Sequence, residues 1–174
     1  MADLLKFLLL PLLLAAGWVL GARWPKAGAL INQGAAIALL ACWALEAVAG
    51  VFGGPETFHR MLAHGAVGLA WVLVPVAVGI FLHEGVARGE ARAILGAFAA
   101  GAAMMAVLAT AVTGYLGPTR APAGPQHALR FEILHFVAAP GLAAAAMILW
   151  AWVARGKPDG IPGTTRATTP AQRR

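Results

Sequence analysis

The residues of this sequence with the clearest chemical potential are its histidines: His59, His64, His83, His127 and His135. An ionisable side chain inside a bilayer is costly, so it usually faces the interior of a helix bundle and serves a function there. His64 and His135 stand out, because Arg60 precedes the first by four residues and Arg130 precedes the second by five. At about 1.5 Å per helical residue, this spacing predicts that both imidazoles lie at nearly the same depth, one or two turns below one membrane surface.

Two neutral imidazoles on separate helices can ligate a haem iron from both sides, which gives a six-coordinate centre suited to electron transfer. We therefore predict that His64 and His135 are the axial metal ligands of one b-type haem. Arginines one turn nearer the surface could pair with the haem propionates, and glycines there would leave room for the macrocycle. The predicted cofactor-binding residues are Arg60, Arg130, Gly50, Gly114 and Tyr115. The alternative is that the histidines are hydrogen-bonded core residues, that the glycines serve close helix packing, and that Tyr115 is interfacial.

The remaining histidines predict no second site of this kind. His83 follows His64 by 19 residues, which places it about 28 Å further along the same helix. No other histidine is predicted at that level. His59 and His127 fall at loop ends, where an exposed histidine is more often an ordinary surface residue.

Two acidic residues, Glu46 and Glu132, fall within apolar runs. Either could accept the proton of a quinol or fix the orientation of a ligand imidazole. A salt bridge to Arg60 or Arg130 is an equal alternative.

The elements that would position these residues are long apolar runs. Of the 174 residues, 60% are hydrophobic and 11% are charged, and the mean hydropathy of +0.77 indicates an integral membrane protein. About 20 apolar residues suffice for a helix to cross the hydrocarbon layer. Five such runs are bounded by charged residues, Pro or Gly: Leu4–Trp24, Gly28–Val51, Met61–Leu82, Ile94–Leu116 and Ala128–Val153. The predicted fold class is an all-α integral membrane bundle of five transmembrane helices.

The runs divide the chain into an extra N-terminal transmembrane helix (1–26), a four-helix core (27–155) and a flexible tail (156–174). The first run could instead be a cleaved signal peptide, but its length and the lack of a clear cleavage site favour retention. Nine of the 13 basic residues fall on the side opposite the N-terminus. The positive-inside rule therefore predicts a periplasmic N-terminus and a cytoplasmic tail. The expected location is the bacterial inner membrane.

Composition also excludes several classes of protein. The single cysteine, Cys42, rules out a disulfide framework, a zinc cluster and covalent haem attachment through C-x-x-C-H, because each needs at least two sulfurs. The net charge of +6 does not indicate nucleic-acid binding, since the basic residues are scattered between apolar runs and form no continuous face.

Two segments match a known family pattern. VLATAVTGYLGP at 107–118 is similar to A-T-A-x-x-G-Y-x-L-P-W, and RFEILHF at 130–136, followed by Pro140, is similar to R-F-x-x-x-H-F-x-x-P. Weaker matches are Asn32 to Gly34 with Gly50, and the Arg60 to Ala66 segment. Residues 29–154 thus resemble the N-terminal, haem-carrying half of cytochrome b from quinol:cytochrome c reductases and their photosynthetic relatives. The resemblance implies that His64 and His135 ligate the haem near the positive side.

The departures from this family are equally informative. Its members carry a second histidine 14 residues after the first on both ligand helices, and these hold an inner haem. Here those positions are Val78 and Leu149, and the quinol-oxidising half of the family is not represented. The resemblance therefore implies one haem and does not extend to a two-haem, quinol-bifurcating cycle.

The sequence thus predicts a membrane b-type cytochrome subunit, not a stand-alone enzyme, that relays electrons through a single bis-histidine haem near the periplasmic side of a larger respiratory or photosynthetic complex. Its expected partners are other membrane subunits, quinone and a periplasmic cytochrome. One alternative is a haem-free structural or assembly subunit derived from a cytochrome b-like ancestor. Another is a metal-handling membrane protein that uses His59, His64 and His127.

Overall fold

The structure is a computed structural model that describes residues 2–53, 56–120, 130 and 132–156. Its five α-helices are α1 (Ala2–Arg23), α2 (Pro25–Val51), α3 (Glu56–Leu82), α4 (Ala91–Arg120) and α5 (Ala139–Ala154). A π-helical turn extends α3 over His83–Ala87, and another precedes α5 over Leu134–Ala138. Because the residues in these ranges form no strand, the predicted all-α class is confirmed for them.

Among the residues that the structure describes, four helical stretches are long and apolar enough to cross a membrane: Pro25–Ala49, Arg60–Ala87, Ala91–Thr113 and Leu134–Ala154. The chain is therefore a multi-pass membrane protein by the length and composition of its helices. α1 contributes a shorter apolar stretch, Leu8–Arg23. That α1 forms a fifth span stays a prediction.

The four long helices form a ring. α2 packs against α3 and α5, and α4 packs against the same two helices. Within the described ranges, direct contact between α3 and α5 is at most marginal, so these two helices occupy opposite corners. Neighbouring helices run in opposite directions, as in an up-and-down four-helix bundle. The ring therefore has a histidine end, which carries His64 and His135, and an arginine end, which carries Lys26 and Arg92.

Side-chain size in the core changes along the ring. Large, fully buried side chains lie in its middle and towards the arginine end: Leu39, Phe81, Met147 and Trp150. The buried residues that α3 and α5 contribute nearest the histidine end are alanines: Ala66, Ala70, Ala139 and Ala143. Bulky side chains thus fill the ring towards the arginine end, whereas the buried residues that α3 and α5 contribute near the histidine end are small.

α1 lies outside the ring and packs mainly along α3. Two glycines make this close approach possible, because a Cβ on Gly17 would overlap the carbonyl oxygen of Val76 and a Cβ on Gly79 would overlap that of Leu14. Small residues at a helix contact allow the two backbones to come together in this way.

Candidate functional site

His135 lies in the π-helical turn that precedes α5. In this turn the N–H of Ala139 donates to the carbonyl of Leu134, five residues back. Pro140 follows directly, and a proline offers no N–H and clashes with the carbonyl four residues before it. The proline therefore explains why the backbone widens here, and π-helical turns of this kind are frequent at functional sites.

The imidazole of His135 is held against α4. Its Nδ1 lies 3.1 Å from the carbonyl oxygen of Thr110 and 3.1 Å from Oγ1 of Thr113. The Thr113 hydroxyl lies 2.8 Å from the carbonyl of Ala109 and donates to the backbone of its own helix. Because a carbonyl can only accept, Nδ1 of His135 must carry the proton. A neutral His135 ring therefore presents an unprotonated Nε2.

His64 shows the same arrangement on α3. Its Nδ1 lies 2.7 Å from the carbonyl oxygen of Arg60, one turn earlier in the helix. The carbonyl again requires the proton on Nδ1, so Nε2 of a neutral ring has a free lone pair. The His64 side chain is exposed, whereas that of His135 is half-buried and also makes an edge-to-face contact with Phe136 at 4.7 Å between ring centroids.

The structure places both histidines at one end of the ring on helices that occupy opposite corners. They have separate hydrogen-bond partners, α3 backbone for one and α4 for the other. That the two imidazoles lie at the same depth stays a prediction. That both rings bind one iron stays a prediction.

The other predicted cofactor residues also belong to the histidine end. Arg60 and Arg130 have exposed side chains. Gly50 lies in the last turn of α2, while Gly114 and Tyr115 lie in the last part of α4. The surroundings of these last three residues fall outside what the structure describes.

Of the two acidic residues, Glu46 is buried in α2 and Glu132 is exposed. The proposed roles of both in binding a proton or orienting an imidazole stay predictions.

Trp43 is a candidate that the sequence reasoning missed. Its side chain is buried in α2, and its indole Nε1 has no hydrogen-bond partner among the described residues. It lies eight residues before the end of α2, and His64 lies eight residues after the start of α3, so the two are at similar depth. A buried tryptophan N–H usually has a partner. The signal in the sequence was its position three residues before Glu46, on the same helix face.

Val78 and Leu149 lie in the half of the ring nearer the arginine end, where they are half-buried and pack against the core. That no second haem binds there stays a prediction. Phe81 and Trp150 are fully buried close to them. Bulky side chains therefore fill this part of the ring.

His83 lies on the outside of the ring, against α1. Its ring makes an edge contact with Trp18 at 5.2 Å between centroids, and its buried Nδ1 has no hydrogen-bond partner among the described residues. The side chain of His59 and the whole of His127 fall outside the described residues, so the predicted three-histidine metal site is untested. In the ranges that the structure does describe, no three His, Cys, Asp or Glu side chains lie together as a metal-binding group.

No protein-family model, curated protein or solved structure matches the chain. The fold alone defines an all-helical, multi-pass membrane protein. Its function is therefore inferred from the side chains at the two ends of the ring.

Proposed function

We propose that the chain is a membrane b-type cytochrome subunit that holds one haem at the histidine end through Nε2 of His64 and Nε2 of His135. One observation carries this proposal: in both rings Nδ1 donates to a backbone carbonyl, at 2.7 Å for His64 and 3.1 Å for His135. Histidines that ligate a metal almost always donate their other N–H to a carbonyl or carboxylate, which fixes the tautomer and the ring orientation.

The arrangement of the helices supports the same proposal. A planar macrocycle with two axial ligands needs those ligands on helices that face each other across a gap. α3 and α5 occupy opposite corners of the ring, and their buried residues nearest this end are alanines. Alanine side chains leave more space between facing helices than the leucine, phenylalanine and tryptophan found further along.

The packing of the other half of the ring supports a single haem. A second macrocycle would need the space and the imidazoles that the cytochrome b family provides there. Val78 and Leu149 cannot ligate iron, and the fully buried Phe81 and Trp150 lie close to them. Membership of the cytochrome b family, in a form that keeps one haem, is part of this proposal.

A b-type haem held at this end would supply reversible one-electron chemistry at its iron. His64 and His135 would set its potential as two neutral nitrogen ligands, and Thr110 and Thr113 would fix the His135 ring. Arg60 and Arg130 would bind the propionates as exposed cations at the same end. The buried N–H of Trp43 would be a further donor towards the site.

The proposed setting is a bacterial inner membrane in which α1 is a fifth span, the N-terminus is periplasmic and the tail is cytoplasmic. The excess of basic residues that the sequence predicts on the side opposite the N-terminus supports this orientation. A site at the histidine end would then lie near the periplasmic surface. We propose as partners other membrane subunits of an electron-transfer complex, with quinone and a periplasmic cytochrome as donor and acceptor.

A reduced-minus-oxidised absorption spectrum of the purified protein tests the proposal. We expect sharp b-type bands from the native chain and their loss from His64→Ala and from His135→Ala. His83→Ala is the matched control, because it removes an imidazole from the other end of α3 and should leave the bands intact. Persistence of the bands in either ligand variant would refute the assignment.

A haem-free structural or assembly subunit is the second candidate. The observation that favours it is the exposure of His64. Water can hydrate an exposed imidazole, so its presence in the bundle needs no cofactor. A well-folded, colourless protein that co-purifies with other membrane subunits would establish this function in place of the first.

A further inference from the structure

The arginine end of the ring contains a cavity of about 710 Å³. It opens between the start of α2, the turn from α3 to α4, and the end of α5. Its volume is in the range of sites that bind small molecules and cofactors. The cavity is far from the histidine end and plays no part in the proposed haem site.

The floor of the cavity is polar although it is buried. Asn32 lines it with a side chain that has no exposed surface, and neither its amide nitrogen nor its amide oxygen has a hydrogen-bond partner among the described residues. Burying an amide without partners is costly, so a buried asparagine that faces a cavity points to a polar ligand.

The charged groups that line the cavity favour an anion. They are three cations and two acids: Lys26, Arg88, Arg92, Glu84 and Glu90. The first turns of α2 and α4 also open here, and neither contains an acidic residue. Free N–H groups at a helix start attract negative charge. Both helix starts therefore add positive potential, while the end of α5, which also lines the cavity, adds negative potential that Arg92 offsets through its bonds to the Trp152 and Gly156 carbonyls. Lys26 and Arg88 remain as the lining cations for an anion.

The rest of the lining is apolar, and the surroundings place the cavity at the edge of the hydrocarbon layer. Phe81, Ala93 and Val153 form buried apolar walls. Trp24 and Trp152, which are exposed at the same end, are of the type that marks the membrane–water interface. A ligand here would meet cations at the mouth, an amide at the floor and hydrocarbon on the sides.

We propose that this cavity binds the phosphate group of an anionic phospholipid. The phosphate would lie between Lys26, Arg88 and the two helix starts, the amide of Asn32 would bind the glycerol or phosphate oxygens, and the acyl chains would follow the apolar walls. Basic pockets between transmembrane helices bind anionic lipid headgroups in this way.

Native mass spectrometry of the full-length protein in neutral detergent tests the site. The probes are dioleoylphosphatidylglycerol, dioleoylphosphatidylcholine and inorganic phosphate alone. We expect one phosphatidylglycerol to bind more tightly than phosphatidylcholine. If inorganic phosphate alone binds as tightly as the lipid, the ligand is a soluble phosphate and the lipid assignment is wrong.

Two double variants distinguish lipid binding in the cavity from nonspecific attraction of the anionic lipid to basic residues at this end. Lys26→Gln combined with Arg88→Gln removes two lining cations, and Arg23→Gln combined with Arg155→Gln removes two exposed cations from the same end that do not line the cavity. At about fivefold in affinity per cation, the first pair should weaken phosphatidylglycerol binding about 25-fold. The second pair should change it less than about threefold. Equal losses in the two pairs would overturn the proposal.

Asn32→Leu tests whether the lipid headgroup reaches the floor of the cavity. It has a similar size but no polar atoms, so we expect the lipid-free protein to melt at a higher temperature while losing its preference for phosphatidylglycerol over phosphatidylcholine. An unchanged preference would show that the headgroup does not reach the floor, and the proposed site would be wrong.

Discussion

Arg92 binds Trp152 in two ways, although 60 residues separate them. Its Nη2 donates to the Trp152 carbonyl at 2.8 Å, and its guanidinium carbon lies 4.1 Å from the centroid of the indole ring. Its Nη1 donates to the carbonyl of Gly156 at 3.0 Å. The start of α4 thus satisfies carbonyls at the end of α5, where a cation is also favoured by the helix dipole.

We expect Arg92→Gln to lower the free energy of unfolding in lipid-free detergent by about 1–3 kcal/mol, because charge-assisted hydrogen bonds and the stacking on Trp152 are lost. Equilibrium unfolding followed by tryptophan fluorescence measures this change. Arg155→Gln is the control, since its side chain is exposed, and it should stay within about 0.5 kcal/mol of the native protein. Equal stability of the two variants would contradict the role assigned to Arg92.

The close contact between α1 and α3 predicts opposite effects on stability for alanine substitutions at two glycines of α3. Gly79→Ala should destabilise the protein by about 1–3 kcal/mol, because the added methyl group would overlap the backbone of α1. Gly68→Ala, on the same helix with nothing within 4 Å of the added Cβ, should be neutral or stabilising. Thermal unfolding in detergent distinguishes them, and a stable Gly79→Ala would mean that the helices are further apart than described.

Replacing Pro140 should change the orientation of the His135 ring, although the two side chains need not be in contact. Pro140→Ala restores a backbone N–H and allows a regular α-helix through residues 134–138, which would turn the His135 ring away from Thr110 and Thr113. We expect the haem content of the purified protein to fall at least about tenfold. Pro11→Ala, at an exposed position of α1, is the control and should retain the native haem content. A normal haem content in Pro140→Ala would show that haem binding does not depend on the π-helical turn.

Thr113→Val tests the hydrogen bond to His135, an axial ligand of the proposed haem. Valine matches the shape of threonine but removes the oxygen that lies 3.1 Å from His135 Nδ1, while the Thr110 carbonyl stays in place. We expect the b-type bands to persist and the midpoint potential to shift, since the basicity of the ligand depends on this bond. Potentiometric titration measures the shift. Thr110→Val is the control, because its hydroxyl bonds its own helix, and the same shift in both variants would argue against a specific effect.

The positions of the helices followed from the sequence because runs of apolar residues and their Pro and Gly breaks are local signals. Even so, α2 begins at Pro25 and not at Gly28, since a proline suits the first turn of a helix. The π-helical turns were not predicted, although Pro140 five residues after His135 was a signal for one of them. The Gly17-x-x-x-Gly21 pattern could likewise have indicated the packing of α1.

That His64 and His135 lie towards the same end of the ring could be predicted, because each lies near the start of an apolar run and alternate runs have the same direction. The hydrogen-bond partners of His135 could not be predicted, since they come from α4, more than 20 residues away. The same is true of Asn32, which the sequence identified only as part of a weak motif. Its burial beside Phe81 and the charged turn from α3 to α4 depends on how four helices meet.

Because α1 lies outside the ring, the packing of the four-helix ring and the surface that α1 presents to the membrane are largely independent. The four remaining helices bury one another in a closed circuit, while α1 attaches along a single edge through its glycines. A substitution on the face of α1 that points away from α3 therefore changes what the chain offers to a neighbour in the membrane and leaves the packing of the four-helix ring unchanged.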